Sequence, residues 1–416
     1  MVGNLQGRFP STAQYEFLPL PWSFSMEKLA RLVTQIAYTP PSQRLSTLSP
    51  LQLSLIPLLS FASSFFRLAV SLRHRLYRYG FLRQQRLPVP VISVGNLTWG
   101  GNGKTPMVEF LARWLADSGI PPLILTRGYG GADEVKMLER HLWETPVKIG
   151  VGANRAAIAA SFFQRHGYMN PKDNSTRTNL CVDRIGAAVL DDGMQHLNLW
   201  RDIEIVMVNA MMPWGNHRLL PLGPLREPLT ALNRADFVVV HHADMVSKQD
   251  IEAIESTVRK FNESVPIFFS TLAPLYFMKA GNISCKLSLK DISNAIILCV
   301  SAIGSADSFV QRIEKMGPML VDRLDFRDHH LFLPEDIDTI RKRLQKLESE
   351  FAATPIVVVT EKDYDRAPEV LKDLNYEVLV LCSSLQILSS KGNKEDGFKK
   401  CLRQCLETRL WGGYTI

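Results

Sequence analysis

The sequence is poor in cysteine and has no arrangement of cysteines that binds metal. Its 416 residues include six cysteines, and none of them belongs to a CxxC pair. The single close pair, Cys401 and Cys405, has no histidine or further cysteine nearby that could complete a zinc site. A zinc site built on cysteine is therefore excluded. The thiols are interpreted as reduced and structural, which fits a reducing compartment.

The chain also lacks the features of a nucleic-acid-binding protein. The formal net charge of +7 favours acidic partners such as nucleotides, phospholipid surfaces or nucleic acid. Interleaved aromatic residues, an RNP-like stretch and a recognition helix are all missing, so no nucleic-acid partner is expected. With 46% hydrophobic residues, the chain can bury a substantial core and form two or three domains.

Acidic residues are scarce at the N-terminus, where Glu16 and Glu27 are the only two in residues 1–48. Organelle-targeting segments are poor in acidic residues and rich in serine and arginine, although this stretch has few arginines. We predict that residues 1–48 form an extension that could target an organelle. Met26 is an alternative start of translation.

The longest apolar run, LQLSLIPLLSFASSFFRLAV at residues 51–70, contains one charged residue, Arg67. A helix of this length could cross the apolar core of a bilayer, which is about 30 Å thick. Arginines that suit anionic lipid head groups follow directly, at Arg73, Arg75 and Arg78. The alternative is a buried helix of the soluble core. We predict a membrane-associated helix within residues 49–85, either inserted in the membrane or lying flat on it.

From Val89 onward, short apolar runs alternate with amphipathic patterns, as in an α/β protein with a largely parallel sheet. Strands are predicted at 89–94, 122–126, 147–151, 185–190, 203–208 and 236–241, with helices between them at 105–117, 134–142 and 154–165. A polar stretch at 170–179 is expected to form a surface loop. These elements predict a core domain at residues 86–265.

A second alternating set predicts a smaller α/β lobe at residues 293–416. Its predicted strands are 295–300, 319–325, 356–360 and 377–382, and its predicted helices are 306–316, 335–350 and 366–373. Residues 266–292 contain two β-like segments and are predicted to link the lobes as a two-stranded connection. No sequence repeat relates the two lobes, so the second is not a duplication of the first.

The most informative segment joins the first predicted strand of the core to its first helix and reads SVGNLTWGGNGKTP at residues 93–106. Glycines let backbone N–H groups approach phosphate oxygens, and a helix N-terminus adds a positive dipole end. The lysine then neutralises the β- and γ-phosphates, and the threonine ligates Mg²⁺. The strict GxxxxGK[ST] pattern has glycine where this chain has Thr98. The alternative is a glycine-rich turn that matches the motif by chance.

We therefore predict an α/β fold with a P-loop NTPase-like parallel sheet core, a second smaller α/β lobe and an N-terminal hydrophobic membrane-associated helix. ATP and Mg²⁺ are the predicted cofactors. The predicted nucleotide-binding residues are Gly100, Gly101, Asn102, Gly103, Lys104 and Thr105. Lys104 is also predicted to act in catalysis, and Thr105 to ligate the metal.

Acidic residues follow predicted strands at the sheet edge where open α/β folds bind ligands. Asp191 and Asp192 end the run AAVLDD and are predicted to contact the metal, with a simple Asp-Asp-Gly turn as the alternative. Asp133, with Glu134 beside it, follows the turn TRGYGG and is predicted to accept the proton of a substrate hydroxyl.

Arginine and histidine candidates complete this set. Arg155 and Arg226 are candidates for binding phosphate, although a single arginine is more often a solvated surface charge. His329 lies in the segment FRDHHLF of the second lobe, and its imidazole could orient Asp133 if a cleft closes between the lobes.

The sequence also contains letters that resemble a base-reading motif. Guanine-specific switches carry NKxD after a strand. NKED occurs at 393–396, within a polar stretch, and TEKD at 360–363 follows a predicted strand but begins with Thr-Glu. We interpret the first as a coincidence and the second as a structural or substrate element, so ATP is preferred over GTP.

These segments together resemble the tetraacyldisaccharide 4'-kinase family, which phosphorylates the 4'-hydroxyl of a disaccharide lipid in lipid A biosynthesis. The matching segments are SVGNLTWGGNGKTP (93–106), TRGYGG (126–131), LDDGMQHLNLWRD (190–202), GNHRLLPLGPLREP (215–228), FRDHH (326–330) and VVTEKD (358–363). The resemblance implies ATP- and Mg²⁺-dependent transfer of the γ-phosphate to tetraacyldisaccharide 1-phosphate, forming lipid IVA. It also implies an acylated disaccharide lipid and a membrane surface as partners.

The resemblance implies roles for the matching residues. Asp133 is similar to the family's catalytic carboxylate, assisted by His329. Lys104 and Thr105 would act on ATP and Mg²⁺, with Asp191 and Asp192 in the metal region. The positions implied to line the phosphate and substrate cleft are Glu134, Arg155, His196, Arg226 and Glu227.

The chain departs from the usual family pattern in identifiable ways. ADEV at 132–135 replaces a GDEP motif and follows the RGYG turn almost directly, and Leu222 replaces a usual alanine. The shortened insert and the long N-terminal extension resemble the plant branch, which implies a mitochondrial, membrane-associated protein. A monomer is expected. The alternative from another class is a P-loop nucleotide-gated switch or chaperone that has no lipid substrate.

Overall fold

The structure is a computed structural model that describes residues 23–128, 133–169, 183–328, 330–389 and 395–410. Twelve strands form one sheet in the order β10-β9-β11-β12-β7-β6-β5-β1-β4-β2-β3, with β8 paired to β7. The strands are β1 (Val91–Asn96), β2 (Pro122–Thr126), β3 (Lys148–Val151), β4 (Ala187–Asp191), β5 (Ile203–Asn209), β6 (Phe237–His241), β7 (Ile267–Lys279), β8 (Asn282–Leu287), β9 (Ile296–Ser301), β10 (Leu320–Asp325), β11 (Ile356–Thr360) and β12 (Val378–Ile387).

The first half of the sheet consists of β1 to β6, which are all parallel. Helices α4 (Lys104–Asp117), α5 (Asp133–Leu142) and α6 (Arg155–His166) connect the strands from β1 to β4, as is usual for parallel pairing. Helix α7 (Lys248–Arg259) follows β6. Because helices cover both faces, β1, β4, β5 and β6 are buried along their whole length and are rich in valine and isoleucine. The carboxyl ends of these strands share one edge of the sheet.

The second half contains β9 to β12 and the helices α8 (Ala306–Glu314), α9 (Pro334–Phe351), α10 (Glu361–Arg366) and α11 (Pro368–Lys372). The C-terminal helix α12 (Glu395–Leu410) packs against the first half of the sheet. Its residues Phe398, Leu402 and Leu406 belong to the hydrophobic core of that half. The Phe398 ring lies 5.0 Å from the Phe268 ring of β7, centre to centre, in an edge-to-face contact. The last helix therefore ties the end of the chain to the first half.

Strand β7 joins the two halves into a single sheet. It pairs in parallel with β6 on one side and antiparallel with β12 on the other. The β7–β12 ladder runs from Leu379–Lys279 to Ile387–Ser270 and contains a register shift at Cys382 and Ser383. The segment predicted as a two-stranded link is thus the hairpin β7–β8, and it lies inside a continuous sheet. The domain boundaries proposed from the sequence stay predictions.

Two N-terminal helices pack along the outside of the core. They are α1 (Ser23–Tyr38) and α3 (Pro50–Arg78), joined by the short α2 (Arg44–Thr47). Ser49 starts α3 with a capping box, because its hydroxyl accepts from the Gln52 N–H and Gln52 Oε1 accepts from the Ser49 N–H. Gln52 also donates to Gln35 Oε1 at 2.7 Å, which fixes α3 against α1.

Most predicted elements agree with the structure, and the differences have local causes. The predicted helix at 366–373 is the shorter α11, which begins at Pro368, and a separate helix, α10, precedes it because Thr360 caps that helix through its Oγ1. Helices α1, α2, α7, α10 and α12 were not predicted. The predicted surface loop at 170–179 lies outside the described residues.

Candidate active site

A large cavity opens at the carboxyl ends of the parallel strands. Its volume is about 1140 Å³, and α3, the loop after β1 and residues of both halves of the sheet line it. Every predicted site residue with a described side chain lies on this cavity: Gly100, Gly101, Asn102, Gly103, Lys104, Thr105, Glu134, Arg155, Asp191, Asp192, His196, Arg226 and Glu227. Two predicted catalytic residues, Asp133 and His329, cannot be placed on the cavity in this way. The side chain of Asp133 and the whole of His329 are outside the described residues.

The glycine-rich loop between β1 and α4, which we call the P-loop, is held by side chains that donate hydrogen bonds to its carbonyl groups. Asn102 Nδ2 donates to Gly100 O at 2.8 Å, and Asn209 Nδ2, at the end of β5, donates to Gly101 O at 2.9 Å. Thr98 is buried and donates through Oγ1 to Asn102 Oδ1 at 3.2 Å. Threonine at the position of a motif glycine therefore stabilises the loop from within.

Gly103 ends the loop in a conformation that only glycine fits. Its φ is +75°, in the left-handed region. A Cβ there would lie 2.5 Å from Cδ2 of His241, at the end of β6. The loop therefore rests directly against the His241 ring before α4 begins at Lys104.

Asp191 ends β4 with an unusual buried carboxylate. Its Oδ1 has no hydrogen-bond partner, and Thr126 donates to its Oδ2 at the long distance of 3.5 Å. Burial and the nearby Glu134 charge raise the pKa of Asp191 to about 7, against the opposing effect of Lys104. An anionic oxygen without a partner in a buried site is suited to a cation.

The adjacent Asp192 is held among cations. Arg226 contacts both of its carboxylate oxygens at 2.8 Å, and Lys104 Nζ lies 3.7 Å from Oδ1. Burial raises the pKa of Asp192, but Lys104 and Arg226 lower it further, to about 2. Asp192 is therefore a stable anion that positions Lys104 and Arg226 at the mouth of the loop.

Arg155 and His196 lie behind these acids. Arg155 is buried and donates to the carbonyl of Asp192 at 3.3 Å. Burial, Arg155 and Arg201 lower the pKa of His196 to about 4, so its imidazole is neutral at physiological pH. Its buried Nε2 has no partner.

Glu227 connects the cavity to the long N-terminal helix. Its Oε2 accepts from Arg234 at 2.8 Å and lies 2.9 Å from Nε2 of His74 in α3. Burial raises the pKa of Glu227, but the His74 and Arg234 hydrogen bonds lower it further, to about 2. The charged end of α3 is therefore anchored at the cavity wall.

The N-terminal extension also reaches the loop. Tyr38, the last residue of α1, donates to the carbonyl of Trp99 at 3.3 Å, and the two rings lie 6.3 Å apart, centre to centre. Burial is the largest influence on the pKa of Tyr38 and raises it to about 12. This contact was not predicted, because nothing in the local sequence relates residues so far apart along the chain.

Residues of the second half close the cavity from the other side. Lys362 Nζ lies 2.9 Å from Glu134 Oε1, so the TEKD segment contacts the helix that begins at Asp133. Gly304 approaches the loop so closely that a Cβ there would lie 2.7 Å from the Gly101 nitrogen. Ser305 Oγ donates to the Gly101 carbonyl at 3.0 Å. The TEKD segment, predicted as a structural or substrate element, thus lies on the cavity.

An ionic cluster joins α5 to α10 across the two halves. Arg140 contacts Glu361 at 3.1 Å and Asp365 at 2.8 Å. His141 Nδ1 lies 2.9 Å from Glu109 and its Nε2 lies 2.7 Å from Glu361. Because both ring nitrogens face carboxylates, both carry protons. Burial lowers the pKa of His141, but the hydrogen bonds to Glu109 and Glu361 outweigh it and raise the pKa to about 9.

We expect the thermal stability of the protein to fall as the pH rises from 7 to beyond 9. The folded-state pKa of His141 is above its unfolded value, so its contribution is complete below about pH 6.5 and is lost as the pH passes about 9. The loss is at most about 3 kcal/mol. Melting curves across this range should show this loss in the wild type and in the His166→Gln control, whose ring is half-buried against Phe162, but not in His141→Gln. If the melting temperature depended on pH in the same way in the wild type and in His141→Gln, the raised pKa assigned to His141 would be contradicted.

The fold and the position of the cavity define the structural class of the protein. A parallel sheet in which β1 runs through a glycine-rich loop into α4, with Asp191 ending the neighbouring β4, is the arrangement of P-loop NTPase-like proteins. The fold class predicted from the sequence is confirmed.

The comparisons with known proteins narrow this class to one family. The sequence model of the LpxK family, tetraacyldisaccharide-1-P 4'-kinase, matches residues 55–405. The chain belongs to this family. The family resemblance found in the sequence is therefore confirmed. The predicted enzyme class, a tetraacyldisaccharide 4'-kinase of lipid A biosynthesis, is confirmed with it.

Relatives from plants and bacteria agree with this assignment. A protein of Arabidopsis thaliana named probable tetraacyldisaccharide 4'-kinase, mitochondrial, is 53% identical over 396 residues, which are 93% of this chain and 99% of the relative. The tetraacyldisaccharide 4'-kinase of Syntrophus aciditrophicus is 36% identical over 74% of this chain and 83% of its own. A crystal structure of LpxK from Aquifex aeolicus in complex with ATP has a TM-score of 0.56 at 23% identity, covering 85% of this chain and 98% of that chain.

Proposed function

We propose that this chain transfers the γ-phosphate of ATP to the 4'-hydroxyl of a tetraacyldisaccharide 1-phosphate at a membrane surface. The observation that carries the proposal is one cavity in which the P-loop, the acids after β4 and the end of the apolar helix α3 meet. Membership of the family supplies the substrate class. The relative from Aquifex aeolicus, which was crystallised with ATP, supports ATP as the phosphate donor.

The cations of the cavity would bind the phosphates of ATP. The residues of the loop and of the start of α4 line the same cavity, and their backbone N–H groups would bind phosphate oxygens together with the Lys104 ammonium. Asp192 holds Lys104 and Arg226 in place, so that their charges are already oriented when the negative charge of the phosphates arrives. Such preorganised charge is the main source of catalysis in phosphoryl transfer.

The same residues fit a magnesium ion. The Asp191 Oδ1 is anionic in the ionised form, buried and without a partner, and the Thr105 hydroxyl lies on the same cavity. Within the described ranges no three His, Cys, Asp or Glu side chains converge on a metal site, which agrees with an ion held by one carboxylate, one hydroxyl and phosphate oxygens. We propose that Asp191 and Thr105 hold Mg²⁺, with Asp192 beside them. The ion would neutralise charge on the β- and γ-phosphates.

The acceptor hydroxyl needs a base. We propose Asp133 for this role, with His329 orienting it, on the strength of the sequence resemblance. Asp133 begins α5, and the next residue, Glu134, reaches the cavity and contacts Lys362. The carboxylate would take the proton of the 4'-hydroxyl as that oxygen attacks the γ-phosphorus.

The direct test is a transfer assay. Purified protein with ATP, Mg²⁺ and tetraacyldisaccharide 1-phosphate should yield a lipid heavier by one phosphate in mass spectrometry. Asp133→Asn should bind ATP but form little product. If folded protein that binds ATP forms no product, and a partner protein instead stimulates hydrolysis, the alternative of a nucleotide-gated switch or chaperone would be supported.

We further propose that α3 lies flat on the membrane. Among the described residues, α3 is the one helix long and apolar enough to cross a bilayer. However, protein covers one face along its length. Leu53, Ile56 and Leu59 pack near Leu222, and Ser63 donates to the Leu219 carbonyl at 2.9 Å. A spanning helix would have lipid on all sides, whereas this helix leaves a single face for it.

The free face of α3 is a stripe of apolar side chains. We call it the α3 stripe: Leu51, Leu58, Phe61, Phe65, Leu68 and Leu72, each 55% or more exposed. The spacing of three, four or seven residues places them on one side of the helix. The opposite edge of α3 carries Arg73 and His74 into the cavity. A lipid that stays in the membrane below the stripe could therefore present its head group to the P-loop.

Replacing Phe61 and Phe65 together by serine should weaken membrane binding by at least about tenfold, because two exposed aromatic rings leave the lipid phase. Sedimentation with vesicles that contain an anionic phospholipid would measure this. Trp143→Ser is the matched control, because Trp143 is 85% exposed but lies outside the α3 stripe. An equal loss in both variants, or no loss in either, would rule out docking through the stripe.

We also propose a mitochondrial location. The support is the mitochondrial relative of Arabidopsis thaliana, which matches 93% of this chain, and the scarcity of acids in residues 1–48. Fluorescence of a full-length fusion outside mitochondria would contradict it.

A further inference from the structure

Helix α1 lies outside the part of the chain that the family model describes. The match to that model begins at residue 55, whereas α1 ends at Tyr38. The end of α1 nevertheless reaches the P-loop, because the Tyr38 hydroxyl donates to the Trp99 carbonyl. Neither membership of the family nor the chemistry proposed above assigns this helix a role.

The last turn of α1 is fixed by hydrogen bonds from Asn216, which follows β5 in the chain. The Asn216 N–H donates to the Ala37 carbonyl at 3.0 Å, and its side-chain Nδ2 donates to the Ile36 carbonyl at 3.1 Å. Carbonyl groups in the last turn of a helix have no partner within the helix, so Asn216 satisfies two of them. Ile36, Ala37 and Asn216 are all buried. The position of Tyr38, the next residue of α1, is therefore set by the core of the protein.

The segment that contains this asparagine, residues 215–226, also holds the start of the P-loop. The Trp99 N–H donates to the Pro224 carbonyl at 3.1 Å, and the Arg226 N–H donates to the Leu97 carbonyl at 2.6 Å. The same segment thus contacts the end of α1 on one side and the P-loop on the other. It keeps the distance between them constant.

Tyr38 sets the orientation of the peptide group between Trp99 and Gly100. In a trans peptide, the C=O of one residue and the N–H of the next point to opposite sides. The Tyr38 hydroxyl, 3.3 Å from the Trp99 carbonyl oxygen, therefore fixes the direction of the Gly100 N–H. Gly100 has a φ of +96°, and without this contact the freedom of glycine would let the peptide group rotate. Gly100 lines the cavity, so the direction of its N–H matters for binding phosphate.

The Tyr38 contact is the first of three along the P-loop. The next two carbonyl groups, those of Gly100 and Gly101, accept from Asn102 and Asn209. Three consecutive peptide groups are thus each held by a side chain, and the first of these side chains belongs to a helix outside the family model. Loss of the Tyr38 hydroxyl would release the first peptide group and leave the other two in place.

We propose that Tyr38 is a positioning residue for nucleotide binding: through it, α1 orients the peptide group between Trp99 and Gly100 and raises the ATP affinity of the P-loop. This rests on the proposed use of ATP. Because Gln52 of α3 donates to Gln35 of α1, the helix that we place on the membrane also supports the P-loop.

The first test removes only the hydroxyl group of Tyr38. Tyr38→Phe keeps the ring that packs against Trp99, and it should weaken ATP binding roughly three- to tenfold, as expected for the loss of one hydrogen bond. Calorimetry with ATP and Mg²⁺ measures this affinity. The KM for the lipid should stay unchanged. A purely structural role would instead lower the folded fraction and leave the ATP affinity of the folded protein unaltered. Tyr79→Phe is the matched control, because Tyr79 is 71% exposed and follows α3.

The second test loosens α1 without changing the P-loop. Ile36→Ala leaves a cavity where α1 packs against Leu48 and Leu222, and it should weaken ATP binding by at least about threefold. Ile254→Ala is the control, since Ile254 is also buried but lies in α7. If α1 acts through Tyr38, the double variant Ile36→Ala/Tyr38→Phe should bind ATP no more weakly than the weaker of the two single variants.

The outcomes decide this proposal and the kinase proposal separately. ATP affinity that is unchanged in Tyr38→Phe or in Ile36→Ala would overturn the role of Tyr38. An equal loss in Ile254→Ala, or losses that simply add in the double variant, would overturn it as well. If Ile36→Ala does not fold, Tyr38→Phe decides alone. If ATP affinity responds as expected but the wild type forms no lipid product, the kinase proposal fails and the role of Tyr38 remains.

Discussion

Replacing Lys104 by alanine is expected to lower kcat/KM for ATP by at least about a thousandfold, a loss of about 4 kcal/mol of transition-state stabilisation. Lys104 is the first residue of α4 and lies 3.7 Å from Asp192, at the mouth of the P-loop. Without its ammonium, the negative charge of the phosphates would meet the Asp192 carboxylate with less compensation. The transfer assay measures the rate, and calorimetry measures ATP affinity.

Lys279→Ala provides the control for Lys104, since Lys279 is half-exposed and pairs with Glu377 on the second half of the sheet. Its activity should equal that of the wild type. An Lys104→Ala variant that keeps ATP affinity and turnover within tenfold of the wild type would remove the P-loop from the mechanism. The remaining assignments in the cavity would then lose their basis.

Asp191→Asn is expected to lower kcat by roughly a hundred- to a thousandfold, because the carboxylate whose buried Oδ1 has no hydrogen-bond partner would lose its charge. Calorimetry gives an independent readout. Mg²⁺ should strengthen ATP binding in the wild type but not in Asp191→Asn, while binding without metal should be unchanged or tighter, since a repulsive charge is gone.

Asp322→Asn is the control for Asp191→Asn, because Asp322 lies on β10, away from the acids after β4, and pairs with Arg343 of α9. It should keep the Mg²⁺ effect. If Asp191→Asn also keeps it, Asp191 does not hold the ion, and the buried carboxylate must have a structural role.

The P-loop was predictable from the sequence because its chemistry is contiguous. A strand, a glycine-rich turn, Lys104 and a helix follow one another within a single segment, and no distant contact is needed to recognise them. Asp191 was predictable for a related reason, since the carboxyl end of a buried strand identifies its place in the sheet. Thr98 departs from the motif, and only the structure gives the reason, its hydrogen bond to Asn102.

What was not predictable depends on pairings between distant segments. The antiparallel ladder between β7 and β12 joins the two predicted lobes. Each of these strands has an apolar pattern like that of the other strands, so the sequence does not show which two strands pair. Arg312 and Asp244 are far apart in the chain and meet only because α8 packs near the end of β6. The contact of Lys362 with Glu134 arises in the same way. Periodicity identifies elements, and it does not identify their partners.

The unbroken sheet has a mechanical consequence for turnover. Strands β7 and β12 both continue from one half into the other, so the halves are joined by a two-stranded ladder with a register shift at Cys382 and Ser383. Bending this ladder at the irregularity would change the width of the cavity and keep the backbone hydrogen bonds between the two strands. In the proposed orientation on the membrane, a bulky lipid would enter and leave at the rim of the cavity beside α3, so the rate of product departure would depend on the membrane side of the molecule.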